Sequence, residues 1–168
     1  MMRSAGFPVA VLVLAASALL GASPAYAALT ISAPGAVDLG TYPLTSTLIN
    51  GQIASVTVTS TQAGSWTATV TGSPFVTGSG PSQYSIPQGQ VRYWSGPVRN
   101  ATGQLSVVTP GQPSEASAQP LTSQRTAFSA TTTSAQPSTV TWNPTLVVNL
   151  PGSVVAGKYT AAITHSVA

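Results

Sequence analysis

Threonine alternates with apolar side chains along most of this chain, and that period of two decides what it can fold into. Val56 and Val58 alternate with Thr57 and Thr59; Trp66, Ala68 and Val70 alternate with Thr67, Thr69 and Thr71; Val140 and Trp142 alternate with Thr139 and Thr141. Leu146, Val148 and Leu150 share one face, as do Tyr159, Ala161 and Ile163 opposite Thr160, Ala162 and Thr164. Successive side chains of a β-strand point to opposite faces, so each run reads as a strand with one buried and one wet side. Threonine suits the wet side because its β-branch fits the pleat and its hydroxyl meets water. No window of useful length carries a helical period, and the helix formers Glu, Lys and Met are nearly absent after residue 27.

Turn signals punctuate these runs: Asn50-Gly51, Ala63-Gly64-Ser65, Gly72-Ser73-Pro74, Gly78-Ser79-Gly80-Pro81, Gly96-Pro97 and Pro151-Gly152-Ser153. Strands are expected at 28–32, 36–41, 52–61, 65–71, 84–86, 90–95, 104–109, 124–132, 138–142, 145–150 and 157–166. The expected fold class is all-β, a β-sandwich of antiparallel strands with no significant helix. Residues 109–120, rich in Pro, Ser, Ala and Gln, read as a long loop inside one domain. The pieces on either side, 28–109 and 121–168, would make a poorer pair of separate sandwiches than one shared one.

The N-terminus has a different character. Arg3 precedes an apolar run from Phe7 to about Leu20, followed by Gly21-Ala22-Ser23-Pro24-Ala25-Tyr26-Ala27. Ala25 and Ala27 stand at the −3 and −1 positions of a cut after Ala27. This is the layout of a secretory signal peptide over residues 1–27. The apolar run is short of the roughly 20 residues that span a bilayer, and no later stretch is long and apolar enough to do so. The expectation is a secreted, extracellular domain over residues 28–168 with no membrane span after cleavage.

Composition removes several kinds of chemistry. Thr and Ser supply 42 of the residues from 28 onward, whereas charge there is limited to Arg92, Arg99, Arg125 and Lys158 against Asp38 and Glu115, a net charge of +2. Four scattered cations make no nucleic-acid footprint. Two carboxylates far apart in sequence make no glycosidase pair. One His, one Asp and one Glu, with no Cys anywhere, leave neither a metal site nor a thiol nucleophile to build. A Ser-His-Asp triad exists only by count, through His165 and Asp38, and no G-x-S-x-G elbow accompanies it. His165 reads as a strand-end histidine partly packed at the rim, on the face of Tyr159 and Ile163. Neither catalytic residue nor cofactor is expected.

The aromatic residues offer more. In Gln90-Val91-Arg92-Tyr93-Trp94-Ser95, alternation places Val91 and Tyr93 on one face and Arg92 and Trp94 on the other. With Val91 inward, Trp94 faces outward beside a cation, where it can stack on a sugar ring or a partner aromatic, with Tyr84 as a further contact. The alternative is that Trp94 lies covered by the 109–120 loop. Trp66 and Trp142 lie on the apolar sides of their strands and read as core.

Gly64-Ser65-Trp66-Thr67-Ala68-Thr69-Val70-Thr71-Gly72-Ser73-Pro74-Phe75 resembles the first signature of the WxL cell-surface domain family, in which a Trp-x-Leu strand leads into a small-residue turn and an aromatic. Ile86-Pro87-Gln88-Gly89-Gln90-Val91-Arg92-Tyr93 is similar to the stretch that follows in that family. Trp142 to Pro151 and Gly157 to Val167 resemble its closing strands. The chain departs from the family where Ala68 replaces the Leu of the first signature and where His165-Ser166-Val167 stands for the second Trp-x-Leu. The resemblance implies a divergent relative, secreted by a Gram-positive bacterium and attached non-covalently to the cell wall, with Trp66, Ala68, Trp142 and His165 as signature positions in the core.

Three functions remain open on these grounds. The first is a non-catalytic cell-surface structural or binding domain, with cell-wall glycan or other surface proteins as partners. The second is a subunit of a surface fibre or layer that self-assembles by β-strand pairing. The third is a carbohydrate-binding module using Trp94, Arg92 and Tyr84.

Overall fold

The computed structural model describes residues 6–15, 28–78, 80 and 83–168; the expected cleavage site at Ala25–Ala27 lies outside the described residues. In chain order the strands are β1 (Gly6–Ala15), β2 (Leu29–Ser32), β3 (Val37–Pro43), β4 (Leu48–Gln52), β5 (Val56–Ser60), β6 (Gly64–Gly72), β7 (Phe75–Thr77) and β8 (Tyr84–Ile86). They continue as β9 (Val91–Trp94), β10 (Val98–Thr102), β11 (Leu105–Pro110), β12 (Gln119–Pro120), β13 (Arg125–Thr132), β14 (Ser138–Trp142), β15 (Thr145–Asn149) and β16 (Tyr159–Val167). Short 3-10 turns lie at Gln88–Gln90 and Glu115–Ser117.

Three sheets pack together. The largest runs β11-β13-β6-β16-β1-β3, with β7 and β8 attached beside β16. The second is β10-β14-β5-β2 and the third β12-β9-β15-β4. All described pairings are antiparallel except that of β1 with β16, which is parallel. The fold is all-β and sandwich-like, as the alternation requires.

The core follows the period of two. Val56 and Val58 of β5 are buried while Thr57 and Thr59 are not, and β6 buries Trp66, Ala68 and Val70 between exposed or half-exposed threonines. On β16, Tyr159, Ala161, Ile163 and His165 all face inward. The sheets meet where Phe128 of β13 stacks on Trp142 of β14, ring centroids 4.7 Å apart at 27°. Large aromatic side chains bury more apolar surface than any other type, so this contact ties two sheets firmly.

Tertiary contacts corrected several local expectations. The strand expected at 52–61 shortens to β5, because Gln52 instead ends β4, which belongs to a different sheet, and residues 53–55 connect the two. Asn50-Gly51 is not a turn but mid-strand, opposite Val147 and Leu146. Gly51 is there for space: a Cβ on it would come within 2.6 Å of Leu39 Cδ2. Strands β7, β10 and β12, and β4 apart from Gln52, lie outside every expected strand. The expected loop at 109–120 is shorter, because Thr109 and Pro110 close β11 against Ser129 and Phe128, and Gln119 and Pro120 pair with Tyr93 and Arg92.

Residues 6–15, expected to act only as the apolar part of a leader, form β1 within the largest sheet. Val9 to Ala15 run parallel to Tyr159 to His165, and Gly6 to Val11 pair antiparallel with Pro43 to Val37. The β3 register slips at Leu39, a β-bulge at which Gly40 takes φ 101°. The bulge is locked internally. The Gly40 N–H donates to Asp38 Oδ1 at 2.8 Å, and the Tyr42 hydroxyl donates to the Leu39 carbonyl at 2.8 Å.

The close approach of Gly111, just after β11, to β13 offers a direct check on this packing. The Gly111 N–H bonds the Ala127 carbonyl at 2.8 Å, and a Cβ on Gly111 would overlap the Thr126 carbonyl oxygen, which is backbone and cannot swing away. Gly111→Ala should therefore cost about 2 kcal/mol, within the range for overpacking, and lower the melting temperature by about 6 °C. Gly152→Ala, which meets nothing within 4 Å, should melt within about 1 °C of the parent. Thermal denaturation of the two variants side by side measures the difference.

Candidate functional site

His165 is not at a rim. It is fully buried at the inner face of β16, where Tyr93 of β9 and Trp142 of β14 converge on it from the other two sheets. Alternation gives the face of a residue but not how deeply the end of its strand is covered. Trp142 Nε1 donates to the Tyr93 hydroxyl oxygen at 3.3 Å, and that hydroxyl lies 3.2 Å from His165 Nε2. Nδ1 of His165 is buried without a hydrogen-bond partner.

The proton positions follow from counting. Tyr93 Oη already accepts from the indole, so its own proton needs an acceptor, and His165 Nε2 is the one in reach. A neutral imidazole carries one N–H. If Nε2 accepts, the proton sits on Nδ1 and one donor is orphaned. Were Nε2 to donate instead, both the Tyr93 proton and the Nδ1 lone pair would lack partners, which is the costlier arrangement. The chain therefore runs Trp142 N–H to Tyr93 O–H to His165 Nε2.

Burial controls both titrations. Desolvation lowers the His165 pKa from 6.5 to about 4, so the ring is neutral at pH 7. Desolvation also pushes the Tyr93 phenol well above its ordinary value, outweighing the opposing effect of the Trp142 hydrogen bond. A neutral histidine sealed from solvent can orient neighbours and specify packing, but it cannot meet a substrate.

The other expected contacts are dispersed. Arg92 is exposed, and its Nη2 donates to the Ala118 carbonyl at 2.6 Å, which ties β9 to the segment before β12. Trp94 is half-buried; its ring lies against Gly96, and its indole N–H is buried without a partner. Next to it, Ser95 Oγ donates to the Gln112 carbonyl at 2.9 Å and accepts from the Gln112 N–H at 3.1 Å. The start of the 111–118 loop is thus clamped beside Trp94. Tyr84 is 47% exposed but sits on β8, in a different sheet from β9. The structure does not assemble Trp94, Arg92 and Tyr84 on one strand face.

Trp66, Ala68, Trp142 and His165 are all buried. Among the described residues no group of three or more His, Cys, Asp or Glu is placed to hold a metal ion, and no helix is long and apolar enough to cross a membrane. Asp38 serves the β3 bulge, and Glu115 lies in the 3-10 turn of the 111–118 loop.

One feature had no signal in the sequence. The strand β3 has no ladder partner among the described strands except β1, and β16 is paired on its other side with β6 and β7. The position between β3 and β16 is a strand-wide seat in the largest sheet. Nothing short of the three-dimensional register brings Val37–Pro43 and Tyr159–His165 to its two sides.

The buried chain sets a pH dependence. His165 has a lower pKa folded than unfolded, so the unfolded state binds more protons between pH 6.5 and 4. Stability is then constant for this group above pH 6.5 and falls as pH drops toward 4, by about 3 kcal/mol in all. His165→Gln, which keeps an acceptor without a titrating ring, should flatten that slope in urea unfolding measured from pH 4 to 8. Tyr93→Phe should cost about 2–4 kcal/mol at pH 7, because it leaves both Trp142 Nε1 and His165 Nε2 buried and unpaired; the same unfolding curves report it.

No protein-family model matches the chain, and comparison with curated proteins finds no significant match.

Proposed function

We propose that this chain is an exported, non-catalytic domain of the cell surface, with a structural or binding role and cell-wall material or surface proteins as its partners. The observation that carries the reading is the burial of His165. The one imidazole of the chain is spent inside the core on Tyr93 and Trp142, and the two acidic residues after residue 27 serve a bulge and a loop turn elsewhere. General acid–base chemistry needs such groups within reach of a substrate proton. Export is supported by the positive, apolar and small-residue succession of residues 1–27. Wall attachment is supported by the likeness of the Trp66 and Trp142 regions to WxL domains.

A second reading, a surface subunit that assembles by strand pairing, draws on the seat between β3 and β16 as an acceptor edge, while among the described strands only β3 itself has no ladder partner besides β1 to make it a spare donor. The carbohydrate-binding reading draws no comparable support, because Arg92 is tied to Ala118, Trp94 is half-covered and Tyr84 belongs to another sheet.

Expression of the full chain in a secreting Gram-positive host should release a product whose intact mass begins at Ala28. Incubated with purified cell walls at low ionic strength, that product should sediment with them. A cytoplasmic, full-length product would overturn export, and a product left wholly in the supernatant would overturn wall attachment.

A further inference from the structure

We propose that the seat between β3 and β16 is a strand-acceptor site which, once residues 1–27 are removed, takes an extended apolar strand from a different exported protein. The inference rests on the reading of residues 1–27 as a removable leader and names the kind of partner that the exported domain would hold.

The full chain shows the seat filled. Residues 6–15, Gly-Phe-Pro-Val-Ala-Val-Leu-Val-Leu-Ala, contain no charge and pair with seven residues of β16 and six of β3. Pro8, which has no N–H to give, is opposite Thr41 and precedes the part of β1 that is paired on both sides. Cleavage after Ala27 would remove this strand whole. Two rows of backbone donors and acceptors would then face each other across a gap of about 9.6 Å, two strand spacings. Unpaired rows of this kind are templates for another strand.

Both walls are held without β1. On one side, β16 is fixed to β6 from Ile163–Gly72 to Val167–Ala68, and Ala162 exchanges bonds with Ser73: its N–H donates to Ser73 Oγ at 2.9 Å, and its carbonyl accepts from the Ser73 N–H at 2.9 Å. Backbone groups alternate in direction along a strand, so the Ala161, Ile163 and His165 amides face the seat. On the other side, β3 keeps its shape through the Asp38–Gly40 and Tyr42–Leu39 hydrogen bonds, and it is anchored by Leu39, which packs onto Gly51 of β4.

The walls also specify the occupant. Ala161, Ile163 and His165 are buried, so residues opposite them enter the core and must be small or apolar. The intervening wall residues Thr160, Ala162, Thr164 and Ser166 are exposed or half-exposed and tolerate polar neighbours. A charged residue on the inner side would lie beside a neutral His165 with no counter-ion. The fitting ligand is an uncharged strand of about seven residues, apolar at every second position and parallel to β16. A second copy is the poorer donor, because each strand from β2 to β16 already has a ladder partner other than β1 except β3, the wall itself.

The test uses the secreted, processed chain and a synthetic peptide of residues 6–15 carrying a polar solubilising tail. Titration should saturate at one peptide per chain. Amide exchange in segments covering 37–43 and 159–167 should slow at least tenfold on binding. A Val11→Pro peptide, which loses a ladder N–H in the two-sided region, should bind at least tenfold more weakly. The proposal is overturned if exchange in both segments is already slow without peptide, since β3 would then have closed onto β16. It is also overturned if the peptide leaves exchange unchanged, if the proline peptide binds equally well, or if the processed chain self-associates and the peptide dissolves the assembly, which would make a second copy the donor. The intact mass of the secreted chain reports on leader removal separately, so failure of the seat and failure of export are distinguishable.

Discussion

Trp142 holds the molecule together. Its ring stacks on Phe128 of the largest sheet, and its indole N–H reaches the Tyr93 hydroxyl of the third, while Trp142 itself belongs to the second. Three sheets thereby share one aromatic junction, with His165 of β16 at its end. A polar chain at the centre of an apolar core is costly unless its members satisfy one another. Here only His165 Nδ1 is left over, and the low pKa of the ring keeps that remainder neutral. The junction links one strand of each sheet, β13, β14 and β9, with β16 at its end.

Chemical poverty and structural order have the same source. With so few charges, the chain organises itself through backbone ladders, apolar burial and short hydroxyl contacts, such as Thr57 with Thr141 at 3.0 Å and Ser65 with Thr131 at 2.9 Å. In the proposed reading such a chain meets its partner through another β-strand, at the seat between β3 and β16.

The strands legible in the sequence were those with one wet face. β5, β6, β14 and β16 announce themselves because water on one side imposes the alternation. β10 was hidden because all five of its residues are exposed, so no apolar rhythm marks it. β15 is buried on both faces from Thr145 to Val148, and its alternation marks only half of its burial. β12 is two residues held by pairing with β9, and Asn50-Gly51 was mistaken for a turn because a turn signal and a packing glycine look alike in sequence.

The sequence by itself determined the all-β class, the inward residues of most strands and the absence of cysteine chemistry, because these depend on local periodicity and on counts. Tertiary structure decided the division into three sheets, the sealing of His165 beneath Tyr93 and Trp142, and the partners of Trp94 and Arg92. It also decided that residues 6–15 lie between β3 and β16. Strand pairing joins residues far apart in the chain, here Val9 with Tyr159. Nothing in a local pattern encodes which edge a given strand will meet.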